Sequence, residues 1–196
     1  ALQAAVLFAG AIVALGLTAP KPTGHERTII GALRDVREGL IYSFRNQIMS
    51  PMLISAAYVG VFIIGSFQVL FPLIIRDSYG GDAQMQAGRL ATLFACFWGA
   101  SFVSAVILSR VKPLRQPGRA LIASHFVGAA ALITFAWDKP FTAFAAIVVG
   151  WGLAAGVAIS MSRTIVQGAA EQRYLGRVLA VYSMGFMGGA PIGSAI

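Results

Sequence analysis

Charge is missing from this sequence in long blocks, and that limits the fold more than any other feature. Six apolar runs hold no Asp, Glu, Lys or Arg: 1–20, 51–75, 90–109, 120–137, 141–162 and 178–196. Roughly 20 apolar residues in a helix cross a hydrocarbon core about 30 Å thick. A backbone in that core must satisfy its own polar groups, which leaves helices or closed barrels. None of the runs alternates strictly as a barrel strand does. The sequence therefore predicts an all-α, polytopic membrane helix bundle. Of the 196 residues, 58% are hydrophobic and 11% charged, whereas a soluble domain carries about a quarter charged.

A net charge of +8 would suit a nucleic-acid partner, but the placement of the cations argues otherwise. One set of alternate loops holds Lys21, Arg27, Arg34, Arg37, Arg45, Arg110, Lys112, Arg115, Arg119, Arg163, Arg173 and Arg177. The other set holds only Arg76, Arg89 and Lys139. Anionic lipid and the membrane potential favour cations in the cytosol. The first set is thus expected to be cytosolic, in a multi-pass protein of the plasma or inner membrane with the lipid bilayer as partner. No nucleic acid is implied. Ala1–Ala19 lacks a basic n-region and a small-residue cleavage site, and both ends lie within apolar runs. The expectation is a piece of a longer protein.

The connection at 21–50 differs from the others. Ile29, Ile30, Leu33, Val36, Leu40, Ile41, Phe44 and Ile48 recur at three- and four-residue spacing among charges. This predicts an amphipathic helix along the cytosolic interface. Further on, Ser162–Ser194 joins two charge-free runs through Arg163, Gln167, Glu171, Arg173 and Arg177, as a membrane-surface hairpin would. The run after it is rich in Gly185, Gly188, Gly189 and Gly193 and carries Pro191. Small residues let helix backbones approach closely in lipid.

Those residues carry a resemblance. Arg163 and Gln167, then Leu175-Gly176-Arg177-Val178, then Gly188-Gly189-Ala190-Pro191-Ile192-Gly193 resemble the helix 10 to helix 11 junction of major facilitator superfamily transporters. The transmembrane secretion effector group, which includes the enterobactin exporters, is the most similar. Arg37-Glu38-Gly39-Leu40, Arg45-Asn46 and Pro51-Met52-Leu53 resemble that group's approach to helix 7. The resemblance implies a C-terminal half: 1–20 as the end of helix 6, 21–50 as the linker, and 51–196 as a truncated bundle from helix 7 into helix 11. The N-terminal half of the transporter would be the missing partner. The family's loop between helices 8 and 9 usually carries an acid, and Ser109 stands at that place before Arg110 and Gly118-Arg119.

Ionisable groups inside a membrane mark function by default, and here they are scarce. Glu26, Asp35, Glu38, Asp77, Asp82, Asp138 and Glu171 all fall outside the apolar runs, so a coupling ion would need an acid elsewhere. His125 is either a proton carrier or a structural residue bonding a neighbouring helix, with the structural role favoured. Cys96 reads as a packing residue, and Gly152 and Gly156 as a helix contact. No cofactor and no metal site is indicated.

The resemblance places helices 7 and 10 along the central path. Substrate-cavity candidates are Tyr58, Phe62, Ser66 and Gln68 on the first, and Trp151 and Ser160, with Ser162, on the second. Tyr58, Phe62 and Ser66 share a face at α-helical spacing. Ordinary helix packing is the alternative for each. Arg163, Gln167 and Arg177 are cytosolic gate candidates, and Arg163 alternatively snorkels to the headgroups.

The function implied is secondary active transport by alternating access, with export of a siderophore- or drug-like small organic molecule as substrate. The alternatives are a permease subunit driven by a separate ATPase and a non-transport membrane scaffold. An intramembrane enzyme is disfavoured, because no HExxH, GxSxG or cluster of intramembrane acids is present.

The orientation is testable with single cysteines in a Cys96→Ser background. Arg115→Cys and Gln172→Cys should be protected from impermeant thiol reagents in intact cells, and Gly81→Cys should be labelled. Labelling of position 115 from outside would overturn the assignment.

Overall fold

The computed structural model describes residues 29–111 and 114–195, apart from the side chains of 29–33 and of Ser66. The run 1–20 and the start of the linker lie outside the described residues. Contacts separate residues 1–33 from 34–196, and the packing below is that of the second unit.

All regular structure among the described residues is helical. Helix α1 spans Ile29–Arg45 and α2 spans Met49–Tyr79. They are followed by α3 (Ala83–Arg110), α4 (Pro117–Thr134), α5 (Phe141–Ala169) and α6 (Leu175–Ser194). Helices α2, α3 and α5 are long and apolar enough to cross a membrane. The shorter α4 and α6 cover 18 and 20 residues. All-helical structure, three such spans and charge-free runs together define a membrane helix bundle.

The helices overrun the charge-free runs, because backbone hydrogen bonding does not stop where the hydrocarbon does. Arg163 and Gln167 lie within α5, and the connection to α6 shrinks to Ala170–Tyr174. The exception is α4, which stops at Thr134 although its run continues to Trp137. There the chain tightens into i→i+3 bonds, Phe135 N–H to Leu132 O and Trp137 N–H to Thr134 O. Lys139 Nζ then donates to the Thr134 carbonyl at 2.6 Å, satisfying an acceptor that the helix end leaves open. At the join of α1 and α2, Asn46 Oδ1 accepts from the Ile48 and Met49 N–H groups.

Helix α2 is irregular for a reason visible in its partner. It is π-helical over Val59–Gly65 and Ile75–Tyr79, and α-helical over Met49–Tyr58 and Ser66–Ile74. Positions five apart in an α-helix diverge by about 140°, whereas i→i+5 bonding brings them nearly into line. Gly60 and Gly65 thereby face α6 together. A Cβ at Gly60 would stand 2.6 Å from the Gly185 and Phe186 carbonyl oxygens. One at Gly65 would stand 2.5 Å from Gly193 Cα, and one at Gly193 1.8 Å from the Val61 oxygen. The backbones touch, which only glycine permits.

Helix α5 packs along both α3 and α4. Gly152 and Gly156 sit against the Phe97 and Ser101 carbonyls of α3, where added methyls would meet oxygens at 2.4 and 2.3 Å. Two cores result. Phe67, Phe71, Leu93, Phe97, Phe144 and Trp151 form an aromatic pile with Cys96 at its margin. Met49, Leu53, Val166, Val178 and Tyr182 form the second, beside α1.

The amphipathic stripe on α1 faces away from the bundle. Leu40, Ile41, Phe44 and Ile48 are exposed, while Gly39 and Ser43 are buried and Val36 half-buried. The helix docks through its small residues and keeps its large apolar ones outward, as a helix against headgroups would.

Gly193→Ala should lower the thermal midpoint of the full-length protein in detergent by at least about 2 °C, because overpacking against a backbone costs about 1–3 kcal/mol. Gly188→Ala, whose methyl would meet nothing within 4 Å, should leave it unchanged. Equal effects from the two would refute the backbone contact.

Candidate functional site

The sequence-derived cavity residues do not converge on one site. Tyr58 and Phe62 lie side by side with ring centroids 5.3 Å apart, exposed by 52% and 56%. Gln68 is exposed and Ser160 half-buried. The side chain of Ser66 lies outside the described residues. The π-helical turn at Val59–Gly65 replaces the α-helical spacing on which a shared face for Tyr58, Phe62 and Ser66 was predicted. Trp151 stands apart at 3% exposure, with edge contacts to Phe67, Phe97 and Phe135. It faces the core.

The two cores leave a cavity between them of about 70 Å³, bordered by Phe67, Phe97, His125, Trp151, Ser162 and Tyr182 among others. Drug-sized ligands occupy about 300 Å³ or more, so this space does not admit one. Ser162 Oγ and Tyr182 Oη are 2.6 Å apart and tie α5 to α6. His125 Nδ1 lies 2.8 Å from the Leu121 oxygen of its own helix. That differs from the bond to a neighbouring helix expected of a structural histidine. Among the described residues, no group of His, Cys, Asp and Glu could hold a metal ion.

The three gate candidates also separate. Arg163 and Gln167 are exposed on α5. Arg177, in the first turn of α6, reaches instead to α1. Its Nη2 is 2.7 Å from Asp35 Oδ1 and its Nη1 donates to Glu38 Oε2 at 2.9 Å. Glu38 is shared with Arg34 at 3.0 Å. Next to the ion pairs, Tyr42 stacks on Tyr174 at 4.3 Å, and its hydroxyl accepts the Glu171 N–H. The Arg173 guanidinium lies over the Tyr174 ring at 4.6 Å. Gly39 makes the approach possible, since a Cβ there would stand 3.1 Å from Arg177 Cβ. This clasp fixes α1 to the α5–α6 connection.

Sequence reasoning missed Asp35, Tyr42 and Tyr174. The available signal was local: a glycine inside the charged helix at Arg37-Glu38-Gly39, and a tyrosine beside Arg173. The opposite end has a counterpart in Arg89, which donates to the Tyr79 and Gly80 carbonyls. There Gly80 and Gly81 take positive φ, and the Asp82 side chain accepts from Met85 N–H to start α3.

Apolar spans, glycine-mediated contacts and a clasped surface helix define an integral membrane protein. Compared with known families, residues 1–194 match the Major Facilitator Superfamily, and the chain belongs to it. No curated protein and no solved structure matches the chain.

The clasp can be measured by a double-mutant cycle on the unfolding of the full-length protein. Arg177→Gln and Glu38→Gln should couple by about 1 kcal/mol, within the usual range for partly exposed pairs. Strict additivity would show that the pair contributes nothing.

Proposed function

We propose that this chain is the C-terminal half of a secondary active transporter that exports a small organic molecule, siderophore- or drug-like, by alternating access. Helices α2 to α6 then correspond to helices 7 to 11, and α1 belongs to the linker between halves. The observation that carries the reading is the Tyr58–Phe62 pair. Two aromatic rings stand exposed on a candidate membrane span, with the exposed amide of Gln68 further along it. An exposed tyrosine hydroxyl and an exposed amide on one span suit a substrate path better than a lipid contact. The second half of the transporter would close that path, and rigid-body rocking of the halves would expose it to each side in turn. Arg163 and Gln167, exposed near the end of α5, are then the gate residues that meet the other half. Arg177 serves the clasp. Export and the likeness to the enterobactin exporters rest on the two sequence motifs.

Reconstituted full-length protein should show gradient-driven flux, and residues 1–196 alone should show none. Phe62→Ala and Arg163→Lys should each lower flux well below wild type at unchanged expression. Lysine cannot reproduce the planar fork of a gating guanidinium, whereas Arg173→Lys should have little effect. Flux that requires ATP hydrolysis by a separate subunit would favour the permease alternative. Normal flux in both variants would remove the proposed path.

A further inference from the structure

The small cavity between the two cores is bordered by a histidine with an acceptor that no described donor meets. His125 Nδ1 lies 2.8 Å from the Leu121 carbonyl oxygen. A carbonyl only accepts, so Nδ1 carries the hydrogen and Nε2 of the neutral ring keeps a bare lone pair. That Nε2 is buried and has no hydrogen-bond partner. Ser162 Oγ lies 3.2 Å from the Ile159 carbonyl and 2.6 Å from Tyr182 Oη, and whichever hydroxyl donates, the Tyr182 oxygen keeps a lone pair beyond that contact. Both residues border the same cavity.

We infer that this cavity is a binding site for a small neutral hydrogen-bond donor, occupied in the working protein by water and received by His125 Nε2 and the Tyr182 hydroxyl oxygen. About 70 Å³ holds at least two waters, since each takes about 30 Å³ in the liquid. A cavity walled only by apolar groups stays dry, but one with unsatisfied polar groups and room for water is filled. Charged guests do not fit the chemistry. No Asp, Glu, Lys or Arg borders the cavity, and Tyr182 is the one other titratable group there. A metal cation or an imidazolium would have no counter-charge. The site does not depend on the transport reading, because the Tyr58–Phe62 pair is not on its wall.

The test uses full-length protein in lipid nanodiscs with 15N-labelled histidine, the His125 signal being assigned by its loss in His125→Gln. Nδ1 should carry the hydrogen it gives to Leu121, and water-edited spectra should show magnetisation passing from water to His125. Gly128→Ala sets a methyl 3.0 Å from Trp151 Nε1 on the cavity wall, and should cut that transfer at least twofold. Absent transfer in the wild type, an imidazolium or a ring protonated at Nε2 would each overturn the assignment. So would undiminished transfer in Gly128→Ala, which would locate the water elsewhere.

Discussion

Helices in hydrocarbon gain little from hiding apolar surface, since lipid tails are as apolar as leucine. Close approach of backbones is what remains, and the structure depends on two places where it occurs. Gly60 and Gly65 meet Gly189 and Gly193 between α2 and α6, and Gly152 and Gly156 meet the carbonyls of α3 from α5. The first contact brings the start of α6 beside α2, where Val178, Val181 and Tyr182 join Met49 and Leu53. The second brings Trp151 beside Phe97. Both cores are consequences of glycine positions, and the cavity is the space that neither fills.

The two ends of the bundle are finished by different chemistry. At the end bearing α1, charge pairs and stacked tyrosines join elements far apart in sequence, Glu38 with Arg177 and Tyr42 with Tyr174. At the other end, Arg89 and Lys139 donate to carbonyls at helix ends nearby in the chain, and the Tyr79 hydroxyl donates across the bundle to the Lys139 carbonyl. The second arrangement closes and joins the spans themselves, and the first couples a surface helix to the bundle. A displacement of the α5–α6 connection would thus be carried directly to α1.

Much of the fold was legible because membrane solvation acts on composition. A run such as 141–162 declares itself by lacking charge, and the glycines of 185–193 declare a close contact. Helix ends were less legible, since Arg163 reaches the surface on a long stem and α5 continues beneath it to Ala169. The site was less legible again. Spacing alone could not tell that Trp151 turns into an aromatic core while Tyr58 and Phe62 turn out. Nor could it pair Arg177 with Asp35 and Glu38, because no local pattern links residues so distant. The docked face of α1 was hidden for a related reason: Gly39 and Ser43, which form it, are too small to register as apolar.

The π-helical turn at Val59–Gly65 acts as a phase shift within α2. Before it the buried positions are Met49, Leu53 and Ala56, and after it Phe67, Phe71 and Ile75. A turn closed by i→i+5 bonds holds one residue more than an α-turn, so it absorbs a residue that would otherwise rotate everything beyond it by about 100°. Gly60 and Gly65, five apart, both meet α6 because of it. The length of this stretch is therefore a counted quantity. Its side chains can vary wherever room allows, whereas a further insertion there, with no additional wide turn to absorb it, sets the two halves of one helix against each other.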